Sequence, residues 1–128
     1  MNSESYDYDE DFEDATDALE RKDYKTAYKL FLRLAAHGDA DAQYSLGLMY
    51  DLGDGIPQNY KKALKWYLLA AEQGSEEAIK YRDIAESKMT TEQITKAYQL
   101  AHDYIDEKPL DLGDINDPAP WLGDIDNN

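Results

Sequence analysis

The feature that most restricts how this chain can fold is an echo of its own sequence at an offset of 36 residues. Tyr24-Lys25-Thr26-Ala27-Tyr28-Lys29-Leu30-Phe31 returns as Tyr60-Lys61-Lys62-Ala63-Leu64-Lys65-Trp66-Tyr67. The match continues without a gap, pairing Ala35 with Ala71, Gly38 with Gly74 and Ala42 with Ala78. Self-similarity with a period of this size marks an array of small structural units, each unable to bury its apolar face alone.

Within one period the apolar pattern is helical. Ala42, Leu46, Met49 and Tyr50 fall at i, i+4, i+7 and i+8, one face of a helix from Asp41 to Leu52. Gly53-Asp54-Gly55-Ile56-Pro57 then breaks it, since Pro57 cannot continue a helix. Asn59 is suited to cap a second helix over 60–73, with Ala63, Trp66, Tyr67 and Ala70 on one face and Gly74 closing it. Alanines let two backbones approach, and the large aromatic rings fill the space between successive helix pairs.

Residues 42–78, AQYSLGLMYDLGDGIPQNYKKALKWYLLAAEQGSEEA, resemble a unit of the Sel-one-like repeat family. Ala42, Leu46, Gly47, Tyr50, Gly53, Gly55, Ile56, Asn59, Lys62, Ala63, Trp66, Tyr67, Ala70, Ala71, Gly74 and Ala78 all fall on that family's pattern. Residues 24–41 resemble the second half of a preceding unit. The resemblance implies a tetratricopeptide-like scaffold that binds proteins. Family members act in signalling, in quality control and in bacterial host contact, and secreted members often staple each unit with a disulfide. This chain has no cysteine, which favours the intracellular reading over the secreted one, and the expected setting is cytoplasmic, for an adaptor of bacterial type.

The flanks depart from the pattern. Asp83 stands where Gly47 stands one period earlier, and no G-x-G follows it. Thr90-Thr91-Glu92-Gln93 reads as a helix start, followed by an apolar face of Ile94, Ala97, Leu100, Ala101 and Tyr104. Upstream, Phe12, Ala15, Ala18 and Leu19 give a short helix ending at a Lys22-Asp23 turn. The expected fold is therefore all-α: a short α-solenoid of about three antiparallel helix hairpins with atypical terminal repeats. Residues 1–11 read as an acidic tail, 12–108 as the repeat domain and 109–128 as a non-helical acidic tail containing Pro and Gly.

Charge supports that division. The net charge of −15 is concentrated at the ends, with seven acidic and no basic side chains in 1–14 and five aspartates and no basic residue in 109–128. The body between them is nearly balanced. Such a chain repels nucleic acid and anionic membrane, and it attracts a basic partner if it attracts anything by charge. The N-terminus lacks the basic start and apolar run of a signal peptide, and no stretch is apolar enough to span a bilayer.

No catalytic constellation emerges, so the chain reads as a non-enzyme with no cofactor and no metal. His37 reads as the end of a helix, and His102 as a surface partner of Asp106. Two histidines without cysteine do not make a zinc site. Asp7, Asp9 and Asp11 suggest a calcium loop, but Phe12 and Ala18 occupy the positions that need Gly and Glu. Gln43, Met49 and Asp51 are the candidates for partner contact, by analogy with solenoids whose first helices line the concave face.

In the C-terminal stretch LGDIND at 112–117 recurs as LGDIDN at 122–127. Leu110, Leu112, Ile115, Trp121, Leu122 and Ile125 are too apolar for a plain solvated tail. Two readings stand: a strap packed on the repeats, or a linear motif, centred on Trp121 and Leu122, offered to a partner. For the whole chain, the leading expectation is an adaptor that binds a protein or peptide through its groove. The alternative is an acidic inhibitor or immunity-type protein that blocks a basic site.

Overall fold

The computed structural model describes residues 7–107. They form α1 (Tyr8–Glu20), α2 (Tyr24–Ala36), α3 (Ala40–Leu52), α4 (Tyr60–Glu72), α5 (Glu76–Glu86) and α6 (Thr91–Glu107), with no strand among them. This is an all-α stack of helix hairpins, as the repeat demands. The expected tail at 109–128 lies outside the described residues.

Each helix starts on a side chain that can accept from a free backbone N–H. Asp7, Asp23, Asp39, Asn59 and Ser75 each take the amide three residues on. At α6 the bonds are reciprocal, Gln93 N to Thr90 Oγ1 at 3.1 Å and Thr90 N to Gln93 Oε1 at 3.0 Å. The first helix begins at Tyr8 and not near Phe12, so it takes in part of the stretch read as acidic tail. Asp9, Glu10 and Asp11 occupy its first turn, where negative charge complements the free amide end of the helix. What looked like solvated charge is in part a helix start.

Three of the turns are copies of one design. Asp23, Asp39 and Ser75 donate their amides back to Ala18, Leu34 and Ala70, closing the outgoing helix, while their side chains cap the incoming one. The residue before each is left-handed: Gly38 at φ 90° and Gly74 at φ 95°, but Lys22 at φ 64° in the first turn.

The helices pack through small residues facing large ones. Ala27, Phe31, Leu34, Ala42, Leu46, Ala63, Trp66, Tyr67 and Ala70 are all fully buried. Gly47 sets the approach of α3 to α4: a Cβ there would stand 2.5 Å from Tyr67 Cδ1 and 3.3 Å from the Ala63 carbonyl. Gly55, in the loop between them, packs against the Tyr24 ring of α2, which ties one unit to the unit before it. Ile56 is buried in the same loop.

The last pair is built differently. Asp83, exposed on α5, replaces the glycine that brings α3 and α4 together. α6 lies mainly along α4 and meets α5 through a side-chain bond from Tyr98 to Glu86, 2.7 Å long. Ile79, Ile84, Tyr98, Leu100 and Ile105 stay exposed on these two helices. This is the atypical terminal repeat that the altered sequence implies.

Candidate partner-binding clefts

One apolar recess collects the last turns of three helices. Ala35, Ala36 and His37 come from the end of α2, Leu69 and Glu72 from α4, and Tyr104 and Ile105 from α6. Its volume is about 300 Å³, near the lower end of the roughly 300–1,000 Å³ common for ligand pockets. The floor is fixed by a polar chain. Gln43 Nε2 donates to the Ala35 carbonyl at 3.2 Å, and Gln73 Nε2 donates to Gln43 Oε1 at 2.8 Å. His37 Nδ1 lies 2.9 Å from the Arg33 carbonyl, and its ring meets Tyr8 edge-on at 5.7 Å.

Behind this cleft is a contact that sequence reading missed. Lys65 is only 6% exposed, with Nζ 4.5 Å from the Trp66 ring centre and 5.0 Å from that of Tyr104. Trp66 and Tyr104 pack edge to face at 5.3 Å. The cation is held against two ring faces, an arrangement worth more when water is excluded. Lys29, the same position one unit earlier, is exposed. No local signal separates the two lysines; the difference is that α6 lies over α4.

A second recess of about 190 Å³ lies at the opposite end of α3, lined by Leu19, Tyr24, Leu48, Met49 and Leu52. A third, about 370 Å³, is acidic: Asp9, Glu13, Asp39 and Asp41 surround Tyr8 and Phe12. Beside it Arg33 bonds Asp11 at 3.1 Å. Crowding by Asp7, then Asp14, raises the pKa of Glu10 above its ordinary value. Among the described residues no three His, Cys, Asp or Glu side chains gather as a metal site, and no helix is long and apolar enough to cross a membrane.

The three contact candidates on α3 are all buried: Gln43 4%, Met49 3% and Asp51 7% exposed. Gln43 and Met49 lie at the floors of the first and second recess. Asp51 is held inside, accepting from the Tyr67 hydroxyl at 2.8 Å. Burial first, then that bond, pushes the Tyr67 hydroxyl pKa well above its ordinary value. The reason is geometric: α3 is packed between α2 and α4, where Gln43 meets Ala35 and Gln73, Asp51 meets Tyr67, and Met49 lies beside Leu19 and Tyr24. At the first recess Glu72, Gln73 and Ile105 are among the exposed lining residues. Of the repeat positions, Ala42, Leu46, Gly47, Tyr50, Ala63, Trp66, Tyr67 and Ala78 are buried, Ala71 is half-buried, and Gly53, Gly55 and Gly74 take left-handed turns. Trp121, Leu122 and the side chain of Asp106 lie outside what is described.

The model of the Sel1 repeat family matches residues 16–39 and 40–75. These two matches meet between α2 and α3, slightly earlier in phase than the 42–78 unit read from the sequence. An uncharacterized Sel1-like repeat-containing protein of Schizosaccharomyces pombe is 47% identical over 51 residues. That alignment takes 40% of this chain and 8% of the relative's length. No solved structure matches the chain.

Proposed function

Since the chain belongs to the Sel1-like repeat family through residues 16–75, we propose that it is a non-enzymatic adaptor holding a protein or peptide in the cleft between the ends of α2, α4 and α6. Repeats of this family are in general protein–protein interaction modules. The observation that carries the choice of surface is the apolar lining of that cleft, with Ile105 47% exposed at its rim. Apolar side chains in a recess with a few fixed polar groups suit the anchor residues that dominate peptide affinity.

The acidic face of α1 favours a second reading. Seven carboxylates and no basic residue lie between Tyr8 and Glu20, and four acidic residues line the recess beside Phe12. A basic partner would be drawn to this face, and the chain would then act as an acidic blocker. One experiment separates the readings. Partners are captured with the full chain, with Ile105→Arg, and with Asp9→Asn/Glu13→Gln, each at low and high salt. Loss of the partner with Ile105→Arg alone, little changed by salt, supports the cleft. Loss with the α1 variant, together with loss in salt, overturns it in favour of the acidic face.

A further inference from the structure

We infer that the cleft beside α6 is occupied by the C-terminal segment of this same chain, with Trp121 and Leu122 as the residues that enter it. The chain leaves α6 at the rim of that cleft: Tyr104 and Ile105 line it, and the helix ends at Glu107. Beyond it the sequence continues to Asn128. Fourteen positions separate Glu107 from Trp121. At about 3.3 Å each that length spans up to roughly 46 Å. The cleft begins within the last turn of α6, about one helix diameter (~10 Å) away. The segment has ample length to turn back.

Charge decides which part can enter. The cleft is lined by the last turns of α2, α4 and α6, where helix carbonyl ends make the potential negative, and Glu72 adds a full charge. An aspartate is opposed there. Leu110, Leu112 and Ile115 are interleaved with Asp111 and Asp114. Between Asp117 and Asp124, in contrast, the run Pro118-Ala119-Pro120-Trp121-Leu122-Gly123 carries no charge. Its chemistry also fits. An indole N–H only donates, and the cleft offers the Glu72 carboxylate and last-turn carbonyls as acceptors. Leu122 has Leu69 and the exposed Ile105 to cover. The two prolines restrict the backbone before binding, which reduces the entropy lost on docking.

The tether makes even a weak contact effective. A short tether presents its end at an effective concentration on the order of 1 mM. A segment with an intrinsic Kd of about 0.1 mM would then fill the cleft about nine-tenths of the time, and an outside peptide would bind about tenfold more weakly than to an open cleft. The inference needs no partner, so it stands or falls apart from the adaptor reading.

The test uses the full chain. Amide spectra of the wild type and of the Trp121→Ala/Leu122→Ala variant are compared over a dilution series. We expect differences at Ala36, His37, Leu69, Gln73 and Ile105 that do not depend on concentration. A wild-type peptide of residues 109–128, added to the double variant, should restore them and bind about tenfold more tightly than it binds the wild-type chain. Ile105→Arg, at an exposed position, should remove the peptide response and keep the dispersed spectrum of a folded protein. The inference is overturned by differences confined to the tail, by differences around Leu19, Leu48 and Leu52, by differences that fade on dilution (a second copy as occupant), by a peptide that does not bind the double variant, or by a response that survives Ile105→Arg.

Discussion

Gly47 and Asp83 hold the same place in successive 36-residue units, and the helix pairs around them differ accordingly. Where the side chain is absent, α3 closes on α4 until Tyr67 fills the missing Cβ position. Where a carboxylate replaces it, α5 stays apart from α6, and α6 turns to α4 for its packing. The same contrast runs through their polar contacts. Tyr67 bonds a buried Asp51, whereas Tyr98 bonds Glu86 at an exposed site. A repeat, then, specifies close packing residue by residue, and the end unit is the one that lacks both this glycine and the G-x-G loop after it.

The largest test of this contrast is truncation of a large side chain on each side of it. Trp66→Ala removes a fully buried ring and should lower stability by about 4 kcal/mol, or about 20 °C in Tm. Leu100→Ala, at a position 40% exposed, should cost well under 1 kcal/mol by the same thermal unfolding. Equal losses would break the comparison.

Next comes the crossing point. Gly47→Ala gains about 1 kcal/mol of helix propensity but forces Tyr67 to move, for a net loss of about 2 kcal/mol in urea titration. Asp83→Ala should stay within about 0.5 kcal/mol.

The tyrosines sharpen it further. Tyr67→Phe leaves the buried Asp51 without its hydroxyl donor and should cost about 1.5 kcal/mol, whereas Tyr98→Phe should cost about 0.5 kcal/mol or less. These changes also predict an alkaline limit. Folding raises the Tyr67 hydroxyl above the ordinary tyrosine value, so its contribution is complete below pH ~10 and declines above it, where the unfolded chain ionises first. Over pH ~10–12 the wild type should therefore lose stability more steeply than Tyr67→Phe. Tyr98 is shifted the same way, its hydrogen bond to Glu86 first and burial second, but exposure makes its share small.

The smallest effect concerns the template's own turn. Lys22 sits left-handed where the two later copies use glycine. Lys22→Gly should raise stability by about 0.5–1 kcal/mol, visible as a shift in the urea midpoint.

The architecture was readable wherever the two units agree. Ala27, Ala63 and Tyr67 announce close helix packing from spacing, Gly47 is marked only through the resemblance to the repeat family, and Asn59 and Thr90 announce helix starts. The site was less readable. Gln43, Met49 and Asp51 looked accessible because the pattern of one unit does not show how far its neighbours cover it. Lys65 does not stand out in the sequence because its cover, Tyr104, comes from a helix that has left the register. Asp7 to Asp11 looked like tail because acidic composition fits a solvated end and a helix start equally well.

The fit of Gly55 against Tyr24 has a consequence for how the chain can be divided. The loop joining α3 to α4 is shaped around a ring that belongs to the preceding unit. A middle unit cut out by itself would lose the surface its loop is moulded on. A fragment that is to keep this loop in shape must therefore retain α2, and boundaries drawn at the sequence period would cut through a joint.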